Sequence, residues 1–217
     1  MLIKESEYLK EVIKELPGSN LKILNFGSQS RAFLREQPHI EENIINTSLG
    51  LGHKIVNLDI QEVEGVDLVG DIFDDNFYEE LIKAKFDVIF VFNLLEHVTD
   101  LDLMIHRIQG LVDKGKYIVF SGPYKYPIHL DPIDNNFRPT LDEVISRFPS
   151  CDLIKGDTVK DYTYRKYLFS SPKAFLIKIA RVLAFFYKFK KWYKVVIPKY
   201  YWLFKEFEIT YALLKKK

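Results

Sequence analysis

The stretch FDVIFVFNLLEHVTDLDLMIHRIQGLVDKGKYIVFSGPY, residues 86–124, decides the fold class. It begins with the apolar run VIFVF at 88–92, and uninterrupted runs of this kind are typical of strands buried on both faces of a parallel sheet. An amphipathic stretch follows at 100–112, and a second apolar run at 116–121 predicts another strand. Strand, helix and strand in this order predict a parallel βαβ unit.

The same alternation continues towards the N-terminus. Further strands are predicted at 22–26, 54–58 and 66–69, and helical segments at 31–36, 40–49 and 75–84. The sequence therefore predicts an α/β fold with a Rossmann-like, doubly wound, mostly parallel sheet and helices on both faces. Such sheets bind ligands beyond the carboxyl ends of their strands, so the residues that follow each strand are candidate functional residues.

Those residues have a chemical pattern. Gly27, Asp59, Asp71 and Asn93 each follow a predicted strand. The carboxylate of Asp59, after the second strand, can accept hydrogen bonds from both hydroxyls of a ribose. The carboxylate of Asp71 can accept a hydrogen bond from an exocyclic amino group. The alternative for each aspartate taken alone is a turn or a helix cap.

Composition restricts the compartment and the kind of site. The chain has 217 residues and a single cysteine, so it has no internal disulfide framework and no zinc cluster built from thiolates. We therefore expect a cytoplasmic protein. The N-terminal stretch MLIKESEYLKEVIKEL carries charge every few residues and predicts an amphipathic helix rather than a signal peptide or a membrane span.

The charge is distributed unevenly between two parts of the chain. Residues 172–217 hold 12 Lys or Arg against 2 Glu, whereas residues 1–171 carry a net charge of −9. The predicted domains are accordingly an α/β domain at 1–171 and a basic, aromatic-rich helical extension at 172–217. Three partners stay open for the extension: protein, through packing on the domain or a homo-oligomer; the inner surface of a membrane; and, least favoured, nucleic acid.

With these residues in view, the sequence resembles the class I S-adenosylmethionine-dependent methyltransferases over roughly residues 20–170. The resemblance is carried by LNFGSQS (24–30), NLDI (57–60), VGDIFD (69–74) and the 86–124 stretch. It implies a seven-stranded sheet and S-adenosyl-L-methionine as cofactor. One further segment, YPIHLDPIDNNFRPTLDEV (126–144), is similar to a segment found in a bacterial subset of these enzymes that is associated with glycan biosynthesis. This similarity implies a small-molecule or glycan-type acceptor and a role in polysaccharide biosynthesis.

The resemblance also implies which residues hold the cofactor. Gly27 would admit its methionine part, Asp59 would bind the ribose hydroxyls, Asp71 would bind the adenine amino group, and His97 would lie near the mouth of the site. The full implied set is Asn25, Phe26, Gly27, Gln29, Asp59, Ile60, Asp71, Ile72, Asn93, Leu94 and His97.

One position departs from the family pattern. Gln29 stands where the family has a second glycine, and that glycine lacks a Cβ because the cofactor lies close to the turn. Two functions therefore stay open: a methyltransferase with a modified loop, or a catalytically inactive binding or scaffold protein. A nicotinamide dehydrogenase is disfavoured because the three-glycine fingerprint is missing.

The segment after the fifth strand is the expected place for a general base. His129 can take a hydroxyl proton, and Asp131 can fix its tautomer, so these two are the predicted catalytic residues. The alternative is that His129, Asp134 and Arg138 only brace the loop, with Thr140 capping the next helix. No His, Asp or Glu cluster has metal-site spacing along the chain, so we expect no metal.

Overall fold

A computed structural model of the chain describes residues 1–129, 133–169 and 201–217, with four isolated positions between them. The described part is built on one seven-stranded sheet of order β3-β2-β1-β4-β5-β7-β6. In chain order the elements are α1 (Ile3–Lys14), β1 (Lys22–Phe26), α2 (Arg31–Glu36), α3 (Pro38–Ile40), a π-helix (Glu41–Asn46), α4 (Thr47–Gly50), β2 (Lys54–Asp59), β3 (Leu68–Val69), α5 (Asp75–Ala84), β4 (Phe86–Phe92), a 3₁₀ turn (Leu95–His97), α6 (Leu101–Gly110), β5 (Val112–Lys125), α7 (Leu141–Arg147), β6 (Cys151–Thr163), α8 (Tyr164–Leu168) and β7 (Glu206–Lys216).

The predicted α/β sheet is confirmed. Strands β1 to β5 pair in parallel, whereas β7 runs antiparallel to both β5 and β6. The predictions for β1, α2 and α5 match the observed bounds, and the apolar run at 88–92 lies within β4, because each has a clear apolar pattern.

The central strand β4 shows why the apolar runs form this sheet. Ile89 and Val91 point into one hydrophobic cluster, whereas Val88 and Phe90 point into a second cluster on the opposite face. Successive side chains of a strand alternate between faces, so a strand covered on both sides must be apolar at every position. Helix α1 packs into the second cluster through residues such as Leu9, as the amphipathic pattern predicted.

The C-terminal strand β7 corrects one prediction. The helical extension expected at 172–217 is wrong for Glu206–Lys216, which form a strand inserted between β5 and β6. Its middle part is buried, and packing in the sheet outweighs the helix preference of its Ala, Leu and Lys residues. Most of residues 170–200 lie outside the described residues, so the partners predicted for the extension stay predictions.

The sheet brings all the parallel strand ends to one rim. Strand order changes direction between β1 and β4, which is the point where such sheets form a crevice. Across the part of the chain that is described, no helix has the length and apolar character needed to cross a bilayer.

Candidate active site

A cleft of ≈ 450 Å³ opens at this rim. Ligand pockets are typically roughly 300–1,000 Å³, so the size suits a nucleoside-containing ligand. All but one of the residues predicted to bind the cofactor line it: Phe26, Gly27, Gln29, Asp59, Ile60, Asp71, Ile72, Asn93, Leu94 and His97. The exception, Asn25, lines a smaller adjoining cavity of ≈ 80 Å³. Whether these residues contact a cofactor stays a prediction.

The turn after β1 has a backbone shaped for close approach. Gly27 has a φ of +73°, and a Cβ built there would lie 3.1 Å from Cδ1 of Leu94. Its N–H donates to the carbonyl of Leu58 at 2.9 Å, which ties the turn to β2. Gln29 has a φ of +64°, in the left-handed region that favours glycine. The turn therefore keeps a glycine-like backbone at position 29 although the residue is glutamine.

The side chain of Gln29 does not close the cleft. It is exposed and makes no hydrogen bond to any residue that the structure describes, and it borders both the main cleft and the smaller cavity. The departure from the family pattern thus adds a movable amide to the wall of the cleft.

The two aspartates after β2 and β3 each use one oxygen locally. Oδ1 of Asp59 accepts from the N–H of Gln61 at 3.0 Å, and Oδ1 of Asp71 accepts from the N–H of Phe73 at 2.9 Å. These are the turn contacts of the alternative interpretation, yet each second oxygen accepts no hydrogen bond within the described chain. Ile60 stands beside Asp59 in the cleft with 68% of its surface exposed. The set presents carboxylate oxygens next to an uncovered apolar side chain.

The end of β4 is fixed by a buried carboxylate that the sequence did not reveal. Nδ2 of Asn93 and Oγ of Ser121 donate to Oε1 of Glu5 at 2.6 and 2.7 Å. The N–H of Leu2 donates to Oε2 of Glu5 at 2.8 Å, and Glu5 is only 1% exposed. A buried carboxylate is tolerated when its oxygens are hydrogen-bonded in this way. In the sequence Glu5 resembles an ordinary surface residue of an amphipathic helix, so nothing marked it out.

A second group of polar side chains lies beside the cleft. Glu96, His97 and His129 bring one ligand atom each to within 4.8 Å of one another. Glu96 is 2% exposed, and burial raises its pKa from 4.5 to about 7. His97 and His129 meet edge to face, with ring centroids 4.9 Å apart. Glu96 was not among the predicted site residues. Its proximity to His129 depends on the fold, because the two residues are far apart along the chain.

The loop after β5 places His129 but leaves its predicted partner undescribed. Asp131 lies outside the described residues, and a different carboxylate, that of Asp134, contacts His129. Oδ2 of Asp134 accepts from the backbone N–H of His129 at 2.9 Å and from Nη2 of Arg138 at 2.6 Å. Thr140 forms the predicted capping box with Glu143. The bracing contacts of the alternative interpretation are therefore present.

The ionisation of these groups follows from their surroundings. Burial lowers the pKa of His129, and the neighbouring His97 lowers it further. Burial acts to raise the pKa of Asp134, but the hydrogen bonds from Arg138 and from backbone N–H groups hold that pKa below its usual value. His129 is therefore neutral and Asp134 ionised near pH 7.

Solved structures with the same fold include both methyltransferases and another enzyme. The [4+2]-cyclase SpnF matches with a TM-score of 0.59 and 12% identity, covering 97% of this chain and 80% of the cyclase. Coclaurine N-methyltransferase bound to N-methylheliamine and SAH matches with a TM-score of 0.54 and 12% identity, covering 98% of this chain and 71% of that enzyme.

A third structure was determined with the intact cofactor. It is phosphoethanolamine N-methyltransferase 2 of Haemonchus contortus in complex with S-adenosyl-L-methionine, with a TM-score of 0.55 and 11% identity. The match covers 98% of this chain and 52% of that enzyme, so this chain spans about half its length. The sequence matches no protein-family model and none of the curated proteins compared with it.

These likenesses establish the fold, which the chain shares with two methyltransferases and a cyclase, and the Rossmann-like sheet predicted from the sequence is part of it. Because one of the three structures is a cyclase, the fold alone does not decide the reaction. The residues at the rim have to carry any functional conclusion.

Proposed function

We propose that the chain is an S-adenosyl-L-methionine-dependent methyltransferase that acts on a small-molecule or glycan-type acceptor. The observation that carries this proposal is the cleft, which gathers Gly27, Asp59, Ile60 and Asp71 from three different strand ends. Local turn chemistry accounts for each residue separately, but it does not account for their convergence on one hollow beside an exposed isoleucine.

The residues present fit the cofactor. Gly27 lines the cleft and has no side chain to occupy it, and the second oxygen of Asp59 has no hydrogen bond within the described residues and can accept from ribose hydroxyls. The exposed face of Ile60 can pack on adenine, and the second oxygen of Asp71 can accept from the adenine amino group. When bound, the cofactor supplies an electrophilic methyl group.

The work of the chain is then positioning. A methyl transfer needs the acceptor atom in line with the bond that breaks, and correct orientation alone contributes several orders of magnitude in rate. Asn93 and Leu94 form the wall next to the histidines, and Asn93 is held in place by the buried Glu5. The base role predicted for His129 stays a prediction, and cofactor binding does not depend on it.

Calorimetric titration tests the proposal without knowledge of the acceptor. We expect the full chain to bind S-adenosylmethionine and its demethylated product with one site each, and NAD⁺ to give no heat. Absence of heat with both adenosyl ligands would support the scaffold alternative instead. Heat with NAD⁺ alone would support a dehydrogenase-like use of the cleft.

A further inference from the structure

The group formed by Glu96, His97 and His129 has the donor types of a metal site. One carboxylate oxygen and two imidazole nitrogens lie within 4.8 Å of one another. Oε1 of Glu96 is buried and has no hydrogen-bond partner among the residues that the structure describes, and the whole residue is only 2% exposed. A buried carboxylate oxygen without a partner is costly, and native structures normally pair such atoms. Among the described residues, the side-chain cation or ring nitrogen that approaches this oxygen is Nε2 of His97, at 3.8 Å, which is beyond hydrogen-bond distance.

The two histidines present nitrogens suited to the same task. Nδ1 of His97 donates to the carbonyl of Ile133 at 2.6 Å, which leaves Nε2 with its lone pair 3.8 Å from Oε1 of Glu96. Metal-binding histidines commonly donate their other ring N–H to a backbone carbonyl in this way. Nδ1 of His129 is buried, makes no hydrogen bond to the described residues and lies 3.5 Å from Oδ2 of Asp134, and the ring offers one nitrogen to the group with Glu96 and His97.

The two segments that carry these side chains are locked together. The N–H of Asn135 donates to the carbonyl of Glu96 at 2.8 Å, and its Nδ2 donates to the carbonyls of Leu95 and Val98 at 2.8 and 2.9 Å. The loop after β5 is thus fastened to the 3₁₀ turn that bears Glu96 and His97. A site built on braced segments loses little entropy when a ligand binds.

We propose that Glu96, His97 and His129 bind one divalent first-row transition-metal ion, of which Zn²⁺ is the representative. Two imidazoles with one carboxylate select such ions over Mg²⁺ and Ca²⁺, which prefer oxygen ligands throughout. Two donor atoms that each lie ~2.1 Å from a tetrahedral ion are ~3.4 Å apart. The ligand atoms here lie within 4.8 Å of one another, so side-chain movements of about an ångström would bring them to that spacing. The assignment reverses the expectation of no metal, which rested on spacing along the chain.

The position of the site indicates its use. His97 also lines the cofactor cleft, so a cation bound there stands next to the place of methyl transfer. Three protein ligands leave at least one coordination position open. Resting on the proposed function, this points to an acceptor that coordinates the ion through hydroxyl or carboxylate oxygens. A metal-bound imidazole has no free lone pair, so His129 is then a ligand rather than the general base.

Cobalt titration tests the site directly. The full chain, freed of any affinity tag and stripped with a chelator, is titrated with Co²⁺ while its visible absorption is recorded. We expect one equivalent to produce intense d–d bands that Zn²⁺ then abolishes by competition. In Glu96→Gln and His129→Ala the affinity falls by at least about tenfold. The matched control is His106→Ala, an exposed histidine on α6, which keeps the parent's bands.

The outcomes separate this proposal from the proposed function. Absence of the bands in the parent chain, or equal bands in Glu96→Gln and His129→Ala, overturns the metal site. Far-UV circular dichroism of the same variants checks that they are folded, whether or not the chain binds S-adenosylhomocysteine. Metal binding without binding of S-adenosylhomocysteine would support the metal site and contradict the methyltransferase function. Binding of S-adenosylhomocysteine without metal binding would support the methyltransferase function and contradict the metal site.

Discussion

The two halves of the rim treat their charged groups in opposite ways. The nucleotide half consists of Gly27, Gln29, Asp59, Ile60 and Asp71, and the histidine half of Glu96, His97 and His129. In the nucleotide half the aspartates are partly or fully exposed, and each is bonded to a backbone N–H two residues along. In the histidine half the carboxyl group of Glu96 is buried, and one of its oxygens has no hydrogen-bond partner in the described part of the chain.

This difference shows what each half needs. The nucleotide half is stable by itself, because short-range turns satisfy its backbone while oxygens and an apolar face stay available to a ligand. The histidine half is held by long-range contacts and contains a buried carboxyl oxygen without a hydrogen bond from the described residues, which an ordinary structural loop would avoid. A ligand is therefore optional for the stability of the first half, whereas a cation would relieve the second.

The largest expected effect tests the nucleotide half. Asp59→Ala should weaken S-adenosylhomocysteine binding roughly 100-fold, because hydrogen bonds from two ribose hydroxyls to a charged group are lost together. Asp113→Ala, which removes an exposed carboxylate near the start of β5, should bind as the parent does. Calorimetry on both variants measures this. Equal affinity in all three proteins would show that the nucleotide half is only a set of turns.

The second prediction concerns the histidine half without metal. Burial raises the pKa of Glu96 from 4.5 to about 7, so between these values the folded chain binds more protons than the unfolded chain. The contribution of this group to the free energy of unfolding is highest below pH 4.5, the unfolded pKa, and is lost as the pH rises through the folded pKa of about 7. The whole loss is about 3 kcal/mol. Glu96→Gln has no such titration.

Urea denaturation in chelator should expose that difference. We expect Glu96→Gln to match the parent near pH 5 and to exceed its free energy of unfolding by about 2–3 kcal/mol at pH 8. Comparing the two proteins at each pH cancels the titration of other groups. A gap between them that is the same at both pH values would mean that the carboxyl of Glu96 is solvated, and the contrast between the halves would disappear.

The smallest expected effect refines the nucleotide half. Gln29→Gly should raise the free energy of unfolding by about 0.5–1 kcal/mol, because glycine removes the cost of a left-handed backbone while adding some flexibility to the unfolded chain. Gln61→Gly is the matched control: Gln61 is an exposed glutamine outside the left-handed region, and its change should destabilise slightly. If both variants lost stability alike, the turn after β1 would not hold position 29 in a glycine-like conformation.

The sequence placed the residues of the nucleotide half at the rim of the sheet because the signals for their positions are local. An apolar run marks each strand, and the residue that follows it falls at the rim by the geometry of a parallel sheet, so Gly27, Asp59 and Asp71 could be placed without coordinates. The resemblance to a known family gave the number of strands, which the structure has, and the cofactor, which stays a proposal.

The rest depends on contacts between distant parts of the chain. The meeting of Glu96 with His129, and of Glu5 with Ser121, requires segments that only the folded sheet brings together. Strand β7 was missed because its Ala, Leu and Lys residues favour helices, while its place between β5 and β6 is set by tertiary packing.

A crystal structure of the chain grown with S-adenosylhomocysteine tests the central claim most directly. We expect density for the adenosine between Gly27 and Asp59, with the ribose on the Asp59 carboxylate, the base against Ile60 and the amide of Gln29 turned aside. Density for the Gln29 side chain filling that hollow, or adenosine bound elsewhere, would contradict it.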